Sequence, residues 1–388
     1  MDYFDLNENE PKKKLNFFFC DTTLRDGEQV AGIRYTPEQK VEIAKLLDKV
    51  GVESIDAGFA ATSEEERLSI RKICDLGLKM RIMSMCRVVR EDIDHAYSCG
   101  VGGVILFIPG SDIHIKAKFG DDVPTVRKKL VQKAMDAIKY AKDKGLFVEF
   151  GVEDSTRTDF NVLLEILSMA EQEGADILGT TDTIGCMTPE RTYNFIKKLV
   201  NHLKAPIGVH CHNDMGLATA NTIAGLLAGG GYCSPTVNGM GERAGNASLE
   251  EIIMILKVLY KQDLKYDTKI LGELSKTVEK YSGISMDIFK PIVGQNAYSH
   301  ESGIHIHGML KDVNTYELFD PQLVGRFRKY ELGKHAGKHT IQYILKINGF
   351  ELSEEEVTDF WRHMKNNEKV GVYYTVEDII AEYKKLRG

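Results

Sequence analysis

At 388 residues, 43% of them hydrophobic and 28% charged, the chain has the composition of a soluble globular protein. It is too long for one ordinary compact domain unless that domain is a large α/β barrel. A net charge of −7 argues against a nucleic-acid or anionic-membrane partner, so an anionic substrate must be met by local basic groups. Seven cysteines, an odd number with no C-x-x-C pair, sit mostly in apolar runs. They read as reduced thiols of a cytoplasmic protein. The opening MDYFDLNENEPKKK lacks the apolar core of a signal peptide, and no stretch is long and apolar enough to span a bilayer.

After the first fourteen residues, expected to be a disordered tail, apolar runs alternate with helical patterns. The predicted strands begin at Asn16 (NFFFCDTT), Glu53 (ESIDAGF), Lys79 (KMRIMSMC) and Gly103 (GVILFI). Four more begin at Leu146 (LFVEFGVED), Asp176 (DILGTTD), Pro206 (PIGVHCHND) and Pro235 (PTVNGM). Amphipathic segments such as PEQKVEIAKLLDKVG lie between them, with Lys and Gly near their ends as stop signals. Eight β–α units in roughly 250 residues is the arithmetic of a TIM (β/α)8 barrel. A doubly wound open sheet is the alternative, but no G-x-G-x-x-G follows the first strand. The expected α/β organisation is a barrel over residues 15–262. A small, mostly helical C-terminal subdomain over 263–388 follows it.

The polar motifs fall where one end of such a barrel would collect them. DTTLRDGEQ follows strand one, ED-x-TR strand five, TDT-x-G strand six, HND strand seven and NGMGERAGN strand eight. In a TIM barrel these are all loops of the C-terminal face, hence one mouth. His210 and His212 stand two apart on a strand, so both imidazoles point to one side while Cys211 points to the other. Such a pair suits a divalent metal, and equally a hydrogen-bonded surface pair. Asp26 can complete an oxygen/nitrogen ligand set with them, and Arg25 beside it can donate to a ketone oxygen as charge develops there.

DTTLRDGEQ, HCHNDMGLATANTIAGLLAGG, VNGMGERAGNASLEE and HESGIHIHG…LGKHAG together resemble the acetyl-CoA-dependent 2-oxo acid Claisen-condensing enzymes. That family comprises the homocitrate, 2-isopropylmalate, citramalate and Re-face citrate synthases, and the resemblance runs from about Phe17 to about Ile344. It implies a TIM barrel, a divalent metal ion (Mg²⁺, Mn²⁺ or Zn²⁺), acetyl-CoA as co-substrate and a homodimer with exchanged C-terminal segments. It makes Asp26, His210 and His212 metal ligands, with Asn246 a fourth candidate. Arg25 would polarise the ketone, and Gln29 and Thr183 would hold the 2-oxo acid. Glu153 and His305 would be the acid–base residues, with Tyr316 supporting His305. Lys334 and His335 would stand near CoA or at the dimer contact.

Within the family, VGVESIDAGFAATSEEERLSIRKI, MSMCRVVREDI and PGSDIHIKAKFG look most like homocitrate synthase of the nitrogen-fixation type, which points to 2-oxoglutarate as acceptor. Its second carboxylate would need a partner, for which Arg87, Arg157, Thr62 and Ser84 are candidates. Two departures leave the other acceptors open. Glu149 stands where lysine-pathway homocitrate synthases carry arginine, and AGFAATSEEE lacks the usual Gly-Ile-Pro. An acyl-CoA lyase or aldolase running the reverse cleavage is the reading from another class, but those enzymes lack the HESGIH tail. The methionines of MRIMSMC read as barrel filling.

Overall fold

The computed structural model describes residues 14–330, 337–367, 374 and 376–387. It divides into two compact units, Met1–Ser285 and Met286–Gly388. The expectations for the N-terminal tail, Lys14 apart, and for Lys334 and His335 lie outside the described residues.

In the first unit eight parallel strands close into a barrel in chain order. They are β1 (Phe18–Asp21), β2 (Ser54–Asp56), β3 (Arg81–Arg87), β4 (Gly103–Pro109), β5 (Phe147–Glu153), β6 (Ile177–Asp182), β7 (Ile207–Cys211) and β8 (Tyr232–Cys233). The helices between them are α1 (Pro37–Val50), α2 (Glu64–Cys74), α3 (Arg90–Ser98), α4 (Asp112–Phe119), α5 (Val123–Asp143), α6 (Phe160–Gln172), α7 (Pro189–Val200) and α8 (Ala218–Leu227). Helix α9 (Leu249–Met254) and α10 (Leu271–Ser282) follow β8. The local rules are visible in α1. Thr36 and Gln39 form a reciprocal capping box, Pro37 supplies the first-turn φ, and Gly51 ends the helix at φ 92°.

The eighth strand is where pattern reading went astray. PTVNGM is the loop after β8, and the strand itself is Tyr232–Cys233, paired with Phe18–Phe19 and Gly208–Val209. Pro235 has no N–H for a ladder, and Asn238 and Gly239 turn the chain with φ of 61° and 69°. The barrel unit also runs further than residue 262, where the β–α repeat ends. Leu271, Leu274 and Val278 of α10 are buried, and Asn238 donates to the Ser275 carbonyl, so α10 is stitched to the loop after β8.

Side chains from the N-terminal part of the strands plug the barrel. Cys20, Met83, Ile105, Ile177 and Tyr232 form the plug, with Phe18, Met85 and Phe147 packed on it. Burying such a side chain fully is worth about 1.5–3 kcal/mol. Nearer the mouth the inward positions of β6 and β7 are glycine. A Cβ on Gly179 would stand 3.2 Å from the Gly151 Cα and 3.3 Å from Glu149 Oε1; one on Gly208 would stand 3.1 Å from the Tyr232 ring. The missing side chains open a cavity above the plug.

The second unit holds α11 (Gly303–Lys311), α12 (Lys338–Ile347), α13 (Glu354–Asn366) and α14 (Val376–Arg387), with a short parallel pair β9 (Ser299–His300) and β10 (Lys329–Tyr330). Its core is Ile341, Ile344, Leu345, Phe360, Met364, Ile379 and Tyr383. Among the described residues no helix is long and apolar enough to cross a membrane.

Candidate active site

A cavity of ≈ 300 Å³ opens at the C-terminal end of the barrel strands. Its walls follow the period of the strands: Glu149, Gly151 and Glu153 from β5, Gly179, Thr181 and Thr183 along β6, and Gly208, His210 and His212 along β7. Arg25, Asp26 and Gln29 enter from the turn after β1, and Met85, Ile105 and Phe107 supply an apolar side.

His210, His212 and the buried Asp26 each offer a ligand atom, all within 4.8 Å of one another. His210 Nδ1 lies 3.0 Å from the Ser234 carbonyl, so it carries the proton and leaves Nε2 as the free lone pair. That Nε2 is 3.2 Å from Asp26 Oδ2. The imidazoles stand edge to face, ring centres 5.0 Å apart, and Cys211 points away into the core. His212 Nδ1 and Asn246 Oδ1 are buried without a hydrogen-bond partner. Orphaned buried polar atoms are costly, and a cation held by the cluster would give the His212 imidazole a partner. The donor set of two imidazoles and a carboxylate fits a divalent metal.

The electrostatics agree. Burial lowers the His212 imidazole to about 4, with His210 adding to the effect, so it is neutral at neutral pH and its lone pair is available. Burial alone would raise Asp26, but the Arg25 guanidinium beside it holds it well below the usual carboxylate range. Asn246 Nδ2 donates to Asp26 Oδ2 at 2.8 Å, which fixes the carboxylate. A backbone bridge between His212 and Asn246 brings the loop after β8 to the end of β7. Arg25 is held by Asp56, 2.6 Å from its Nε, and its Nη1 lies 3.3 Å from both Asp26 Oδ1 and Gln29 Oε1.

The other predicted residues divide into three groups. Glu153 and Thr183 line the cavity; Thr183 Oγ1 accepts the Asp154 N–H at 2.9 Å, which leaves its hydroxyl proton to donate. Among the described residues, Arg87, Arg157, Thr62 and Ser84 do not line it. Arg87 is clamped by Asp92 at 2.8 Å, Arg157 Nε by Asp154 at 2.9 Å, and the two hydroxyls donate to the carbonyls of Phe59 and Gly58. His305 and Tyr316 belong to the second unit, where their rings stack with centres 4.0 Å apart.

Glu149 and Arg243 are among the lining residues to which the sequence assigns no part. Glu149, buried in the cavity floor, takes the Tyr232 hydroxyl proton, and burial raises its carboxyl to about 7. Arg243 pairs with Asp214 at 2.8 Å on the rim. The signal for Glu149 was its spacing from Glu153, four residues along one strand and so on the same face.

A closed eight-stranded parallel barrel with a two-histidine, one-carboxylate cluster and an arginine at its mouth has the architecture of a metal-dependent barrel enzyme. The chain belongs to the HMGL-like family, which matches residues 16–278, and residues 292–371 match the homocitrate synthase post-HMGL domain. Three curated relatives are similar over almost the whole chain. Homocitrate synthase AksA of Methanothermobacter thermautotrophicus is 43% identical over 95% of this chain and 93% of its own length. (R)-citramalate synthase CimA of Methanocaldococcus jannaschii is 42% identical over 95% and 74%. 2-Isopropylmalate synthase of Sulfurisphaera tokodaii is 44% identical over 97% of each. The chain is thus an enzyme of the HMGL-like family that condenses an acyl-CoA with a 2-oxo acid.

Proposed function

We propose that this enzyme condenses acetyl-CoA with 2-oxoglutarate to give homocitrate and free CoA, using a divalent metal. The observation that carries the condensation is the Asp26–His210–His212 cluster beside Arg25 at the floor of one cavity. A metal held by Asp26, His210 and His212, with the Asn246 amide oxygen close by, would act as a Lewis acid toward a 2-oxo acid. Arg25, already oriented by Asp56, donates to the ketone oxygen as it becomes an alkoxide. Thr183 donates to the acid's 1-carboxylate, and Gln29 limits its orientation. Glu153 takes the proton of the thioester methyl group, a weak carbon acid that needs a placed base. Water then hydrolyses the thioester and frees CoA. His305, stacked on Tyr316, serves as the second acid–base group for the barrel of a partner copy in a homodimer. The match of residues 292–371 to a synthase domain supports synthesis over the reverse cleavage.

The acceptor is supported by the PGSDIHIKAKFG and MSMCRVVREDI stretches and by Arg87. This arginine shares the strand parity of the cavity-lining Met85 and would release Asp92 to meet a second carboxylate. A second reading is favoured by Met85, Ile105 and Phe107, an apolar wall with the Glu149 carboxyl below it. Such a wall suits the side chain of pyruvate or 2-oxoisovalerate, giving citramalate or 2-isopropylmalate. The test is CoA release with acetyl-CoA, a divalent metal and each 2-oxo acid in turn. Preference for 2-oxoglutarate supports the first reading and preference for an apolar acid the second. Silence with all acids, but cleavage of a CoA ester in the reverse direction, would make the protein a lyase.

A further inference from the structure

Glu153 does not stand alone at the end of β5. Lys118 Nζ and His114 Nδ1, both from α4, lie 2.6 Å and 3.5 Å from its Oε2. His114 Nε2 is 3.7 Å from Asp154 Oδ2 and 3.4 Å from Arg157 Nη2. Asp154 is fully buried with φ 61°, takes hydrogens from Arg157 Nε at 2.9 Å and from the Ser111 hydroxyl, and donates its N–H to Thr183. Ser111 also caps α4 through the His114 N–H. The loops after β4, β5 and β6 are therefore tied into one piece, with His114 between the two carboxylates.

A guanidinium only donates, so His114 Nε2 facing Arg157 presents its lone pair and the ring proton sits on Nδ1. That Nδ1 is buried, makes no hydrogen bond of good geometry, and lies nearest Glu153 Oε2 of the two carboxylates. Lys118 reaches the same oxygen, but its side chain is 45% exposed against 18% for His114. A flexible, solvated ammonium holds a partner weakly. The imidazole is fixed by a helix whose Ile115 is fully buried. Lys118 bonds Oε2 and the His114 N–H faces the same oxygen at 3.5 Å, so Oε1 is the oxygen left for a substrate proton.

We propose that His114 is a positioning residue for Glu153, orienting its carboxylate for proton abstraction from the thioester methyl group. This rests on the reading of Glu153 as the base. In the step, one methyl proton passes to Glu153 Oε1 and the C–H electron pair stays on the substrate as the enolate. His114 neither gains nor loses a proton.

The test compares H114L with H114N, whose amide can place an N–H near the Nδ1 position, by steady-state CoA release and by deuterium uptake into the acetyl methyl group. H114L is expected to lose about 10- to 100-fold in kcat and in deuterium uptake, the cost of a misaligned reacting group, with both KM values within about threefold. H114N is expected to recover most of that loss. Equal loss in both variants, a loss carried by KM, or an H114L kcat within about twofold of wild type would overturn the proposal. Should H114L lose its cooperative thermal transition, H114A takes its place against H114N under the same criteria. A wild-type enzyme that condenses no 2-oxo acid would overturn the underlying reading as well, whereas an active wild type with an unaffected H114L overturns only this one.

Discussion

His210 Nε2 lies 3.2 Å from Asp26 Oδ2, bringing the end of the seventh strand against the turn that follows the first. A bare histidine–aspartate pair would explain that contact. It would not explain why His212 Nδ1 and Asn246 Oδ1 are buried beside it with no partner. A metal held by Asp26, His210 and His212 would account for the histidine–aspartate contact and give the His212 imidazole a partner. Addition of Zn²⁺ or Mn²⁺ to chelator-treated protein should raise its thermal midpoint, since a ligand at 100 times its Kd stabilises the native state by about 2.7 kcal/mol. His212→Ala should remove that response and metal-dependent turnover while the protein still unfolds cooperatively. Full activity of His212→Ala in metal-free buffer would refute the assignment.

Arg25 makes three directed contacts, to Asp56, Asp26 and Gln29, which a lysine ammonium on its shorter, floppier stem cannot reproduce. Arg25→Lys should keep the fold and the metal response but lower kcat by about 10²–10³, the usual effect of removing a donor from a developing oxyanion. The measurement is steady-state kinetics at saturating substrates; a change confined to KM would count against a role at the ketone.

Glu149 gives the enzyme a pH-dependent stability with a definite sign. Burial raises its carboxyl from 4.5 to about 7, so between those values the folded chain keeps a proton that the unfolded chain releases. Its contribution is complete below pH 4.5 and fades as pH climbs through 7. Glu149→Gln keeps an acceptor for the Tyr232 hydroxyl and removes the titration. The variant should gain on wild type by on the order of 2–3 kcal/mol between pH 4.5 and 8 in urea unfolding. Parallel stability curves across that range would contradict it.

The cross-subunit role proposed for His305 is tested by complementation. His305→Ala and Arg25→Ala should each be inactive, and a mixture unfolded and refolded together should regain about a quarter of wild-type activity through hybrid dimers with one intact site. A mixture that stays inactive, although mixed dimers form by mass, would confine each site to one chain.

Much of this protein was legible from local pattern, because barrel strands and helices are specified by nearest neighbours. Five of the eight strands lie within the apolar runs that announced them, and β3 and β4 overrun theirs by one residue each. The period of two in V-H-C-H correctly aimed His210 and His212 to one side with Cys211 on the other. The motif loops did gather at one mouth, since every loop after a parallel barrel strand must emerge at the same end. The strand that was misplaced fails for a local reason too. Tyr-Cys is too short to show a period, and the apolar residues after Pro235 mimic a strand while the backbone there is turning.

By itself, then, the sequence pointed to the barrel through its alternating strand and helix patterns, while the candidate metal cluster and the type of chemistry came from the resemblance of its motifs to a known family. Only the tertiary structure decided which groups meet. Arg87 and Arg157 have the right charge for a carboxylate, yet Asp92 and Asp154 claim them first. Glu149 is an ordinary acid in the sequence, and becomes a raised one because the fold buries it low in the barrel against Tyr232. His114 reaches Glu153 because β4 and β5 are neighbours and α4 leans back over the mouth. Desolvation and partner choice are properties of three-dimensional neighbours, and no spacing along the chain encodes them.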